Sequence, residues 1–413
     1  MCRRAKSRPG CCSDTPGAPL IILGHLLMLC LAVPASVACL YIFVATVLSA
    51  RLPIPARSSQ RLRFDVFVPA HNEAAVIQRT VASLRKINWP AEGFRVCVIA
   101  DNCTDATAAL ARVAGAQVLE RSDDALRGKG YALQYGFRAS LLESWAQAVV
   151  VVDADSEVSP NLLEAFAARV EEGAYAVQAH YGVLNPHASW RTRLMTMAKA
   201  SFHIVRSRAR ERVGVSCGIR GNGWCVTHEL LRKVPYAAFS LTEDLEYGID
   251  IGMAGYRVHY ADEAHCNADM VVGEQVARRQ RQRWEGGRFQ QIRAKTWPLL
   301  LTAFTRPSAV CLDLALDLLV LPLSYVALNV CALICAAGLL TWWHAGFIAW
   351  FRLAWGFGAS LVLYVLRGWQ LSGVGAHGLL DLARAPGFLL WKVVLMMNPQ
   401  KSAGWVRTDR EDD

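Results

Sequence analysis

Two aspartates one residue apart, Asp153 and Asp155, follow the four valines 149–152, so they stand where a buried strand gives way to a loop. Hard carboxylate oxygens in that place suit Mg2+ or Mn2+, although an Asp-x-Asp also serves as a solvated turn. Asp101 ends a second apolar run, and Thr104 and Asp105 follow it. Asp101 is placed to hold a ligand's base or ribose, whereas Thr104 and Asp105 serve equally as caps of a helix over 106–114. Lys129 lies between Gly128 and Gly130 on an expected turn before a helix, a place that accepts phosphate, but the phosphate-loop pattern is missing. Glu243, Asp244 and Glu246 open another helical stretch. Asp244 is the candidate general base; the glutamates can also cap the helix or pair with arginines. Farther on, Gln280, Arg283 and Trp284 combine polar and cationic groups for a diphosphate with an indole for stacking.

Short β-like runs at 64–69, 94–100 and 148–153 alternate with polar helical stretches between residues 51 and about 295, the pattern of an α/β domain with a mainly parallel sheet. Ligands of open α/β sheets gather beyond the carboxyl ends of strands. His71, Asn72 and Glu73, then Asp101 and Asn102, then Asp153 and Asp155, all follow such ends, so one crevice is expected to hold them.

The flanks are apolar. Of the 413 residues 54% are hydrophobic, and residues 20–50 contain no Asp or Glu and no Lys or Arg, enough to cross a bilayer once. Further spans are expected at 308–342 and 345–366, around an interfacial Trp342, Trp343 and His344. Asp313 and Asp317 read as a polar first turn at the membrane surface rather than a proton relay. Residues 367–413 read as an interfacial helix and a soluble tail. The organisation is thus a short segment 1–19, a span 20–50, a domain 51–300, two spans, and that tail. The net charge of +10 fits a membrane surface or a phosphorylated ligand. Without zinc-finger, basic-zipper or RNA-binding motifs it does not indicate nucleic acid. The 13 cysteines lack paired spacings and read as reduced thiols.

Taken in order, these motifs resemble the family 2 glycosyltransferases of GT-A fold, in the membrane branch that includes cellulose, chitin and hyaluronan synthases. The resemblance covers about residues 64–287. The stretch from Val68 to Glu73 is similar to the family's Pro-Ala-Tyr-Asn-Glu opening, with His71 in place of the tyrosine. The resemblance implies an α/β, Rossmann-like fold with transmembrane helices at both ends. It also implies donor-binding roles for Glu73, Asp101, Lys129, Asp153 and Arg283, and a metal-binding role for Asp155. Glu243, Gln280 and Trp284 would serve the acceptor and diphosphate, and Asp244 would be the base. The implied reaction is inverting transfer from a UDP- or GDP-sugar, assisted by Mg2+ or Mn2+, to a growing polysaccharide or a lipid-linked acceptor. The domain would face the cytoplasm from the cell's inner membrane. Single-sugar transfer to a membrane lipid is the alternative, and a catalytically silent membrane scaffold a lesser one.

Overall fold

The computed structural model describes residues 18–270, 273–384 and 386–387. Eight strands make one sheet: β1 (Phe64–Ala70), β2 (Phe94–Asp101), β3 (Gln117–Arg121), β4 (Ala148–Val151), β5 (Ser156–Val158), β6 (Ala176–Val183), β7 (Trp224–Thr227) and β8 (Val258–Ala268). Their order is β3-β2-β1-β4-β7-β6-β8-β5. The runs expected as strands form β1, β2 and β4, which are nearly all buried. Strands covered on both faces need unbroken apolar runs rather than alternation.

β1 pairs in parallel with β2 on one side and β4 on the other, and β2 pairs in parallel with β3. β7 then joins β4 and β6 antiparallel, β6 and β8 are parallel, and β5 closes the edge antiparallel. The sheet is mixed, with a doubly wound half. Its switch point lies between β1 and β4, so a crevice opens beyond Ala70 and Val151. Two apolar layers cover the sheet: one contains Val66, Val98, Val150 and Phe166, the other Phe67, Ile99, Phe137 and Trp224.

Among the described residues three helices are long and apolar enough to cross a bilayer: Pro19–Val47, Leu323–Trp343 and Ala345–Ser372. The chain is a membrane protein. The three pack through Met28, Ala35 and Ile42, through Val330 and Leu333, and through Ala354, Leu361 and Tyr364. Gly24 near the start of the first lies against Phe347, in the first turn of the third, where it follows the second. That turn and the start of the first helix therefore share one side, and the domain lies on the other.

The stretch expected as one span over 308–342 is two helices, Ala309–Leu319 and Leu323–Trp343. Pro322, which has no N–H to continue a helix, is the N-cap of the second. Arg288 donates to the Asp317, Leu318 and Val320 carbonyls, groups left without helical partners at the break. Asp313 and Asp317 do not form a polar turn at the membrane surface. Asp313 pairs with Arg210 at 2.6 Å, and Asp317 pairs with Arg206 at 3.1 Å and Arg210 at 3.4 Å. Tyr41 of the first apolar helix donates to both carboxylates, so the network ties that helix to the domain. The third helix runs to Ser372, beyond the expected 366. Of residues 367–413, expected as an interfacial helix and a tail, 367–372 end the third apolar helix and a short helix follows at Gly375–Asp381; nearly all beyond Arg384 lies outside the described residues.

Candidate active site

The crevice expected beyond the strand ends is a cavity of about 1830 Å³, and Glu73, Asp101, Lys129, Asp153, Asp155, Glu243, Asp244, Gln280, Arg283 and Trp284 all line it. Each is brought there by a different local cause.

At the ends of β1 and β2 the chain turns through Asn72 (φ 56°) and Asn102 (φ 51°), a left-handed conformation that asparagine tolerates better than most residues. Asn72 Oδ1 accepts from the Thr104 N–H at 2.7 Å, and His71 Nδ1 lies 2.7 Å from the Asp101 carbonyl oxygen. Asp105 accepts from the Ala74 and Thr107 N–H groups. It fastens the two loops together; the Thr107–Val113 helix itself has Ala106 as its N-cap, with no side-chain cap. Asp101 is 5% exposed, and its carboxylate accepts from Arg121 Nη1 at 2.6 Å. Arg121, on β3, had no motif to mark it.

Asp153 is placed by Asn222, whose side-chain oxygen accepts the Asp153 N–H at 2.9 Å and whose amide donates to Ser156 at 2.6 Å. Lys129 is not on a loop. It is the first residue of the Lys129–Glu143 helix, and the turn is made by Gly128 at φ 126°, a backbone angle that favours glycine. Its ammonium lies 2.6 Å from Asp153 and 3.4 Å from Glu243, and it donates to the Gly221 carbonyl at 2.9 Å. It joins two motifs that are about 90 residues from one another.

Glu243 and Asp244 open the Glu243–Met253 helix, and Glu246 turns back to accept from the Ser240 N–H at 3.1 Å. Burial raises the Glu243 and Asp244 carboxyls above the usual acid range; Lys129 opposes the shift and neighbouring carboxylates add to it. A base with its pKa moved toward neutrality is better matched to accepting a hydroxyl proton. Gln280, Arg283 and Trp284 belong to the Glu274–Thr305 helix. One turn past Trp284, a Cβ added to Gly287 would lie 2.5 Å from Thr242 Cγ2, and Gln291 donates to Ser240 at 3.0 Å. Only glycine lets the two motifs approach this closely.

Residues 61–287 match the family described as Glycosyltransferase like family 2. The chain belongs to that family. Among curated relatives of this chain, a probable glycosyltransferase, YdaM, of Bacillus subtilis is 25% identical over 54% of this chain and 55% of its own length. A beta-monoglucosyldiacylglycerol synthase of a Nostoc species is 27% identical over 62% of this chain and 58% of its own. The chain thus spans a little over half the length of these relatives. The solved mannosyltransferase PcManGT from Pyrobaculum calidifontis, in complex with GDP-Man and Mn2+, superposes with a TM-score of 0.50 at 19% identity, covering 84% of this chain and 98% of its own. That likeness shows the GT-A fold and its flanking helices. The cavity wall also carries groups that no sequence motif marked: Tyr181, Lys199, Phe202, Arg206 and Arg220.

Proposed function

We propose that the chain transfers a single sugar, with inversion, from a UDP- or GDP-sugar to a membrane lipid, with its domain on the cytoplasmic face of the cell membrane. The observation that carries this reading is the continuity of the cavity. Asp101, Asp153, Asp155, Asp244 and Arg283 line it together with Leu321 and Leu323, where the second apolar helix begins, and Leu361, Val362 and Val365 along the third. An acyl chain can lie along those apolar side chains while its head reaches Asp244. The name of the Nostoc relative, a glucosyldiacylglycerol synthase, agrees with a lipid acceptor. The cytoplasmic placement follows from where nucleotide sugars are made.

In this reading Asp101, held by Arg121, takes the nucleoside. Arg283 and Lys129 face the diphosphate, and Trp284 borders the acceptor opening. Asp244 accepts the acceptor hydroxyl's proton as that oxygen bonds to the anomeric carbon. The carbon's bond to the diphosphate oxygen breaks, and its electron pair leaves with the nucleoside diphosphate. Glu243 steadies Lys129 beside these groups.

The donor set fits Mg2+ or Mn2+. Asp153 and Asp155 offer oxygen ligands on the cavity wall, and a cation already sits on Asp153 in the form of the Lys129 ammonium. Among the described residues no group of three His, Cys, Asp or Glu side chains could hold a metal by itself. Mg2+ commonly takes one or two carboxylates and completes its shell with substrate phosphate and water. When bound, the ion neutralises charge on the departing diphosphate.

A growing polysaccharide is the second reading, favoured by the Trp284 indole on the cavity wall. Product size separates the two. Nucleoside diphosphate release is the test: purified protein, a panel of UDP- and GDP-sugars, and lipid extract. Asp244→Asn is expected to lower turnover about 10²–10⁴-fold with donor affinity kept. Equal turnover in the variant would remove Asp244 as the base, and absent donor binding in the wild type would favour the silent scaffold.

A further inference from the structure

Deep in the cavity, between Asp244 and the apolar helices, lies a basic lobe that the transfer chemistry leaves unused. One continuous helical stretch supplies much of it: Trp190–Lys199 is α-helical, Ala200–Val205 is a π-helix and Arg206–Arg212 is α-helical again. A π segment widens a helix by one residue per turn and often marks a functional site. Here it is held by the third apolar helix. Tyr364 donates to the Ser201 carbonyl at 2.8 Å and accepts from Arg206 at 3.0 Å, and Gly368 lies against Ser201.

Phe202 projects from this π segment, and three guanidinium groups surround its ring: Arg220 at 4.1 Å, Arg206 at 5.1 Å and Arg288 at 5.9 Å. Lys199 places its ammonium 3.4 Å from the centre of the Tyr181 ring. With Arg210, five cations face two carboxylates, Asp313 and Asp317, while Asp153 and Asp155 act on Lys199 only at longer range. Lys199, Arg220 and Arg288 are 8%, 6% and 9% exposed, and Lys199 Nζ, Arg220 Nη2 and Arg288 Nε have no hydrogen-bond partner among the described residues.

Buried donors without partners, in a region of surplus positive charge, are costly unless an anion completes them. Burial draws Lys199 down to about 8, a shift that a bound anion would reverse. The position selects which anion. Arg220 precedes Gly221, whose carbonyl accepts from Lys129 and where a Cβ would lie 3.3 Å from Asp244 Oδ2. Arg206 and Arg288 instead reach Tyr364 and the carbonyls at the helix break before Pro322. The lobe therefore joins the base to the membrane side.

We propose that this lobe seats the phosphate of a membrane lipid, with Lys199 and Arg220 as its principal ligands and the acyl chains along Leu361 and Val365. The inference rests on the transferase reading, under which this lipid is the acceptor.

The test is equilibrium binding to the full chain in a neutral maltoside detergent, using a fluorescent short-chain phosphatidic acid and the diacylglycerol of the same chains. The wild type should bind the phosphatidic acid at least about tenfold more tightly, the effect of gaining one or two charge-assisted hydrogen bonds. Lys199→Gln breaks no ion pair among the described residues and should bring the two lipids to within about threefold; Arg220→Gln should act in the same direction. Equal affinities in the wild type, or a preference untouched in both variants, would overturn the proposal. So would inorganic phosphate binding as tightly as the lipid, which would mark a free-phosphate site, or displacement of the lipid by nucleoside diphosphate, which would assign the lobe to the donor. Nucleoside diphosphate release measured beside these titrations separates the two readings. Selective lipid binding without release from any donor keeps the lobe and removes the transferase, and release with equal lipid affinities does the reverse.

Discussion

Replacing Gly287 by alanine sets helix propensity against packing. Within the Glu274–Thr305 helix, alanine is favoured over glycine by about 1 kcal/mol. The added Cβ, however, would lie 2.5 Å from Thr242 Cγ2, 3.0 Å from its Oγ1 and 3.3 Å from its Cβ. Carbon atoms rest about 3.5–4.0 Å apart, so the Thr242 loop must move by roughly 1 Å. Overpacking of this kind costs about 1–3 kcal/mol, which leaves a net loss of stability of about 0–2 kcal/mol. The functional effect should be far larger. Glu243 and Asp244 follow Thr242 directly, and a displacement of about 1 Å in a reacting group can cost 10²-fold in rate. Gly286 is the internal control, because a Cβ there meets nothing within 4 Å among the described residues. Thermal unfolding in detergent, donor affinity and nucleoside diphosphate release are to be compared for Gly286→Ala and Gly287→Ala. The first should keep wild-type turnover; the second should lose about 10²-fold with donor affinity unchanged. Turnover of Gly287→Ala within about threefold of the control would refute the claim that this contact positions the base.

Raised carboxyls at Glu243 and Asp244 predict that kcat/KM falls on acidification at a pH above the usual aspartate range. The effect on stability has the opposite sign: a carboxyl raised by folding is easier to ionise in the unfolded chain, so donor-free stability should fall as pH rises through the same window. Parallel pH profiles of turnover and of thermal unfolding check both. Asp317→Asn should destabilise the protein by about 3–5 kcal/mol, because Arg206, Arg210 and Arg220 lose a shared buried carboxylate; a wild-type unfolding midpoint would contradict the network's role. Chelation should abolish diphosphate release and added Mn2+ or Mg2+ restore it, with Asp155→Asn needing more metal for half-maximal rate; release unaffected by chelator would remove the metal.

Much of the domain was legible because its causes are local. Runs such as 148–152 have no polar side chain to break them, so they become covered strands, and Asp101 and Asp153 had to emerge at their ends. The order of the motifs was enough to indicate the family. Other features were illegible because they depend on partners distant in the chain. The helix break before Pro322 was hidden within a long apolar stretch, since its freed carbonyls are satisfied by Arg288 from another helix. Lys129 looked like a loop cation because nothing near it in the chain predicts Asp153 and Glu243 as its partners. Asp313 and Asp317 looked like surface groups because Arg206, Arg210 and Tyr41 are about 100 to 280 residues away.

By itself, then, the chain's order determined the covered strands, the apolar helices and the chemical types gathered for the site, since hydrophobic runs and the polar residues that end them act over a few residues. Only the tertiary structure decided that Gly287 lies on Thr242, that Lys129 joins Asp153 to Glu243, and that a basic lobe opens between Asp244 and the membrane helices, because close packing and charge pairing are properties of side chains that meet only once the sheet, the long helix and the apolar helices have docked.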